Sequence, residues 1–181
     1  MDFYLGWSKN IERKFKSDYK LALVFDKISF YPVNALLKLY LIKDDERIEV
    51  NSVEVFKNRV RIENEEQALD FVRMFTEPEL HVFFDLLAIE VFKSSSNPYS
   101  PYGSIEDQVF DKLGLVQPIV RKIDRDFVIS RTLLFYPDSE GILGRRLCIV
   151  RENLKYNGEY VMEIAKEIAY DKIESIRMPV D

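Results

Sequence analysis

The stretch FVISRTLLFYPDSEGILGRRLCIVRENLKYNGEYVMEIAKEIAY, Phe127–Tyr170, decides the fold class. It holds three runs rich in β-branched and aromatic residues: Phe127–Tyr136, Arg145–Lys155 and Tyr160–Tyr170. Each run is bounded by turn residues, and both connections contain glycine. Runs of this kind are strands, and short connections make successive strands antiparallel neighbours. The expectation is a three-stranded meander over about 127–170.

Asn157-Gly158 sets the register of the second hairpin, because both residues tolerate positive φ at low cost. A two-residue loop would place Glu152 opposite Glu163. A three-residue loop, Tyr156–Gly158 with Gly158 left-handed, instead pairs Lys155 with Glu159 and Arg151 with Glu163. It also sets Val150 against Ile164 and Leu154 against Tyr160. Cross-strand pairs contribute about 0.2–1 kcal/mol each, so the charges select the longer loop.

Upstream of the meander, Asn64 and Gln67 form a capping-box pattern ahead of the stripe Ala68, Leu69, Val72, Phe75. Glu65 and Glu66 sit where the helix dipole favours acids, so a helix is expected over about 65–76. Thr76-Glu77-Pro78-Glu79 repeats the start signal and predicts a second helix over about 77–87. A third, over about 105–113, would be capped by Ser104 and stopped by Gly114. Val116–Ile123 adds a strand before the meander. Between the helices, Ser94–Ser104 (SSSNPYSPYGS) is the one composition shift, a loop and candidate subdomain hinge.

Further upstream, Ser8 could cap a helix carrying Trp7, Ile11, Phe15 and Tyr19 at helical spacing. Alternation in Leu37, Leu39, Leu41, then Ile48, Val50, Val53, Val55, Val60 and Ile62, predicts a smaller antiparallel sheet over about 36–63. Leu21–Phe25, Ala35–Ile42 and Leu86–Lys93 fit either helix or strand, and for Ala35–Ile42 the strand reading is taken. The fold expected is therefore α+β: one domain over 1–181, with helices packed on an antiparallel C-terminal meander.

Length and composition agree with this. A chain of 181 residues with 47% hydrophobic side chains can bury a core without metal or disulfide help. Cys148 has no partner cysteine, and its place between Leu147 and Ile149 reads as a buried, inert thiol. The net charge of −5 argues against nucleic acid as the main partner, although a local basic patch is compatible with it. The N-terminus MDFYLGW lacks a basic segment followed by an apolar one, and Leu80–Phe92 is too short to span a bilayer. A cytoplasmic protein without membrane contact is expected.

Chemistry is sparse. On a helix over 77–87, Glu77, His81 and Asp85 would lie at i, i+4 and i+8 on one face, a row able to hold a metal or a base. A surface acid, a satisfied imidazole and a solvated aspartate explain the same row. The single histidine removes most zinc arrangements, so no metal or cofactor is expected. Tyr99 and Tyr102, in the Pro-rich loop, could contact a partner or pin the loop to the core. Arg145 and Arg146 follow a GxxG turn and could clamp an anion, or could simply be solvated strand ends. Phosphate-loop, nucleophile-elbow and zinc-protease signatures are absent from the sequence. The reading is a non-catalytic binding or regulatory module acting through protein contacts. A small-molecule pocket between helices and sheet, and an oligomerising subunit, are the alternatives.

Overall fold

A computed structural model describes residues 8–27, 35–84, 86–96, 103–136 and 145–168. Their order is β1 (Ser8–Ile11), β2 (Lys16–Ser17), β3 (Lys20–Lys27), β4 (Ala35–Lys43), β5 (Glu46–Glu49), β6 (Val60–Arg61) and α1 (Glu65–Met74). There follow β7 (Ala88–Lys93), β8 (Gly103–Ile105), α2 (Asp107–Lys112), β9 (Ile119–Ile123), β10 (Asp126–Phe135), β11 (Arg146–Leu154) and β12 (Tyr160–Ile168). The chain is sheet-rich α+β, with two α-helices among the described residues.

The β11–β12 hairpin has the register that charge selects. Val150 faces Ile164, Arg151 faces Glu163 and Leu154 faces Tyr160. Lys155 N donates to Glu159 O at 2.8 Å, and Gly158 closes the loop at φ +84°. The loop also docks on the N-terminal half: Asn58 N donates to Asn157 O at 2.7 Å, and Ile62 N to Tyr156 O at 2.8 Å.

β10 is the central strand of the larger sheet. β11 pairs along one side of it. On the other side β9 pairs with Asp126–Ser130 and β7 with Leu133–Phe135. Arg131 and Thr132 lie at the change of neighbour. Thr132 Oγ1 fills the gap by donating to Val116 O at 2.9 Å and accepting from Val116 N at 3.1 Å. A second sheet runs β1-β3-β4-β5, and β2 pairs with β6.

α1 starts as its sequence requires: Gln67 N donates to Asn64 Oδ1 at 2.9 Å, and Glu63 N to Gln67 Oε1 at 2.8 Å. Its buried face carries Ala68, Phe71 and Val72, with Phe75 just past the end. Phe71, Phe75, Phe15, Phe56 and Phe84 form a ring cluster with centroids 4.8–6.4 Å apart, mostly edge to face. Burying one such ring is worth about 1.5–3 kcal/mol, against 0–1 for an exposed ion pair. Of the thirteen phenylalanines, eight are buried among the described residues. A second cluster, including Phe110 of α2 with Val91, Leu134 and Leu147, covers the opposite face of the sheet at its other end.

Several expectations need correction. Residues from Ser8 form β1, not a helix, because the ladder to β3 pairs Ser8 with Val24 and Ile11 with Leu21. Val53–Phe56 is a 3₁₀ turn rather than strand, which drops Phe56 into the ring cluster. Val60-Arg61 pairs with β2, so the N-terminal sheet draws its strands from residues 8–49. No helix spans 77–87. A 3₁₀ turn, His81–Phe83, replaces it, and Leu80 and Phe84 are buried on either side. α2 is shorter than expected because Gly103–Ile105 pairs in parallel with β7. Ser104 is thus a strand residue and not the cap, although Gly114 ends the helix at φ +65°. Leu21–Phe25 and most of Leu86–Lys93 resolve as strand.

Among the described glycines, Gly158 has the least room for a side chain. A Cβ there would stand 2.4 Å from Val60 Cγ2 and 2.9 Å from Phe56 O, at a φ that disfavours any L side chain. Gly158→Ala should cost about 2–4 kcal/mol by urea unfolding, combining backbone strain with overpacking. A loss below 1 kcal/mol would show that the loop is not held against residues 56–60.

Candidate interaction surface

Period-2 alternation sends Phe127, Ile129, Arg131 and Leu133 of β10 toward α1, so one core position holds a guanidinium. Arg131 is fully buried and has a partner on every nitrogen. Nε and Nη2 grip Glu152 Oε2 and Oε1, each at 2.7 Å. Nη2 also donates to Val72 O and Nη1 to Thr76 Oγ1, both at 2.8 Å. These last contacts put a cation at the negative end of α1, where it complements the dipole. Glu90 Oε2 lies 3.5 Å from Arg131 Nη1 and accepts from Arg73 Nε at 2.9 Å. Tyr160 OH donates to Glu152 Oε1 at 2.6 Å.

Burial disfavours the ionised phenol of Tyr160 first, and the Glu152 charge adds to it, holding its pKa well above the usual tyrosine value. Burial alone would lower the Arg131 pKa, but Glu152 outweighs it and the guanidinium stays charged. No buried side-chain nitrogen or oxygen among the described residues lacks a partner. This network is structural: its groups are saturated by one another.

The residues singled out from the sequence are not brought together. Glu77 accepts two hydrogen bonds from Arg13 Nη1 at 2.8 Å, while Arg13 Nη2 binds Asp70 at 2.9 Å. His81 lies within the 3₁₀ turn with Nδ1 3.0 Å from Glu77 O. The row of three requires a helix that does not form, and Asp85 lies outside the described residues, as do Tyr99 and Tyr102. Arg145 is exposed at the start of β11. Arg146 reaches Glu167 at 3.5 Å and stacks 5.7 Å from the centre of the Phe135 ring. Cys148 is buried, and burial followed by the Glu167 charge pushes its pKa up, which keeps it a thiol.

The surface that sequence reading missed is the outer side of β9–β12. Register places Ile119, Arg121 and Ile123 on the side that carries Val128 and Ser130 of β10, Asn153 and Arg151 of β11, and Val161 and Glu163 of β12. Ile119, Ile123 and Val161 are 47%, 54% and 61% exposed, while on the opposite side Phe127, Ile129, Val150 and Leu154 of the two middle strands are buried. A dip of about 300 Å³ lies there, with Val128 and Asn153 between Ile123 and Val161 and with Asp124, Asp126 and Glu159 also lining it. Only Val161 carried a signal, sharing the polar phase of its strand with Glu163; in β9, Ile119 and Ile123 share their phase with Arg121 and leave Val120 and Lys122 on the other. A smaller apolar pair, Phe25 opposite Leu37, lies where the stripe of Leu21, Leu23, Leu39 and Leu41 runs beyond the core.

Among the described residues no helix is long and apolar enough to cross a membrane, and no group of three or more His, Cys, Asp or Glu is placed to hold a metal ion. No protein-family model, curated protein sequence or solved structure matches this chain.

Arg131→Met should cost about 3–5 kcal/mol, because it leaves Glu152 buried without its cation and Glu90 with Arg73 alone. Arg131→Met with Glu152→Leu should recover a large part of that loss; equal losses by urea unfolding would show that the pair is not coupled. Tyr160 makes its own signature with pH. A phenol whose folded pKa is raised keeps its full contribution below its usual pKa near 10 and loses it as pH rises further. Between pH 9 and 11, roughly around that value, the unfolding free energy should fall more steeply in the wild type than in Tyr160→Phe. Parallel slopes would contradict the buried, neutral phenol.

Proposed function

We propose that this chain is a non-catalytic binding module that works through protein–protein contacts, using the open side of β9–β12. The observation that carries this reading is that Ile119, Ile123 and Val161 all stand exposed on one side of β9–β12, whose two middle strands bury their other side. Single exposed apolar residues are ordinary, but a group rimmed by polar side chains is typical of a contact site. Arg121, Arg151, Asn153 and Glu163 provide that rim. The dip between Ile123 and Val161 can receive one large side chain of a partner, the usual form of an interface anchor. The most deeply placed ionisable groups, Arg131, Glu152 and Glu90, are occupied in holding α1 to the sheet, which favours binding over catalysis.

The neighbouring edge suits strand addition less well. β12 presents Glu163, Lys166 and Glu167, and its register shifts at Ala165 in a bulge. Charges and bulges on an edge discourage pairing with another strand. Contact through side chains on the face is therefore favoured over self-association through the β12 edge.

A photoreactive benzophenone side chain at position 161, expressed in the native cell, should give one discrete protein adduct. Ile119→Glu with Ile123→Glu should abolish that adduct while leaving Tm unchanged. Absence of an adduct, or adducts indifferent to the two substitutions, would rule the reading out.

A further inference from the structure

The chain is acidic, yet one cleft reverses the sign. Arg61, Ile62, Glu63, Lys122, Arg125 and Tyr156 line an open space of about 280 Å³ where β6, the β9–β10 turn and the β11–β12 turn meet. Three cations face one carboxylate there, in a chain of net charge −5. That carboxylate is engaged elsewhere: Glu63 Oε2 holds Lys16 Nζ at 2.6 Å. The Lys16 hydrogen bond, joined by the charges of Arg61 and Lys122, keeps Glu63 below its ordinary pKa and ionised.

Lys122 and Arg125, both exposed, are positioned by neutral partners. Lys122 Nζ donates to the Glu63 carbonyl at 3.0 Å and lies 5.6 Å from the centre of the Phe127 ring. The Arg125 guanidinium lies over Tyr156, 4.1 Å from the ring centre. Neither forms an ion pair among the described residues. A carbonyl or an aromatic face fixes a cation without neutralising it, so both charges remain available to an anion. Arg61 reaches Asp18 only at 3.8 Å, with both side chains well exposed, a contact that an incoming anion can outcompete. Asp126, beside Arg125, accepts from Tyr156 N at 3.3 Å. The Ile62 N–Tyr156 O bond of 2.8 Å joins two walls of the cleft, so the cations are held in one frame.

We propose that this cleft binds a phosphate monoester group, with Arg125 and Lys122 as its main partners and Arg61 as the third. Arg125, stacked through its face, keeps its N–H edge free for two parallel bonds to phosphate oxygens, while Lys122 supplies a point charge. The small volume suits a phosphate and the atoms next to it rather than a long polyanion. A phosphorylated protein side chain and a free small ester both carry this group. Lys122 lies on the side of β9 opposite Ile123, so this site is separate from the open sheet face and does not rest on it.

The test is a ¹⁵N-resolved titration with inorganic phosphate, glycerol phosphate and an Ala-phosphoserine-Ala peptide. Saturable shifts should be confined to the backbone of residues 61–63, 122–126 and 156. Arg125→Gln and Lys122→Gln should each weaken binding about tenfold or more, as loss of a charge-assisted bond implies, with Tm unchanged. Tighter binding of the peptide than of glycerol phosphate assigns the phosphate to a protein partner, and the reverse order assigns it to a free ester. Either order supports the site. Shifts that do not saturate, or affinities that both variants leave intact, would overturn it. So would a single-stranded oligonucleotide that binds more tightly than all three probes and is lost in the same variants, since that ligand is a polyanion.

Discussion

A single buried guanidinium sets the geometry of the larger half of this protein. Arg131 joins β10 to β11 through Glu152, to β7 through Glu90, and to the end of α1 through Val72 O and Thr76. Taking such charges out of water is costly, and the cost is offset only when geometry is good and each lone pair and proton is used. That condition is directional. A leucine at position 131 could bury as much apolar surface, but it would not require α1 to end over β10 or Tyr160 to close over Glu152. The hydrophobic clusters supply most of the driving force, and the ion network specifies which of the many greasy arrangements is adopted.

The same residue marks where the sheet divides. Arg131 and Thr132 fall between the stretch of β10 paired with β9 and the stretch paired with β7. One side chain goes to the network and the other holds Val116 in the gap. β9 thereby leaves the part of the sheet that α2 covers, and its outer residues face solvent. The open apolar face and the basic cleft are both consequences, the first on the outside of β9 and the second at its turn against β6.

Legibility followed the range of the interaction. The β11–β12 register was readable because it rests on pairs a few residues apart and on one glycine. The start of α1 was readable because Asn64 and Gln67 act on the backbone beside them. The 77–87 helix was misread because a capping pattern and Pro78 are compatible with a single turn, and the burial of Leu80 and Phe84 took the chain elsewhere. The Ser8 helix failed because i, i+4 spacing cannot register a ladder with β3. Of the buried network, Arg131, Glu90 and Glu152 carried a signal, being charges on the core phase of strands; Lys122 and Tyr156 of the basic cleft carried none.

By itself the sequence determined the class of the fold, the meander, the hairpin loop and the first helix, since short-range geometry and side-chain periodicity are properties of the chain alone. Tertiary structure decided which side of β9–β12 is left open, which charges are buried together, and that Arg61, Lys122 and Arg125 share one cleft. Those outcomes depend on contacts between residues from 21 to 99 positions apart, whose cost of closure varies only slowly with separation and so leaves little trace in local pattern.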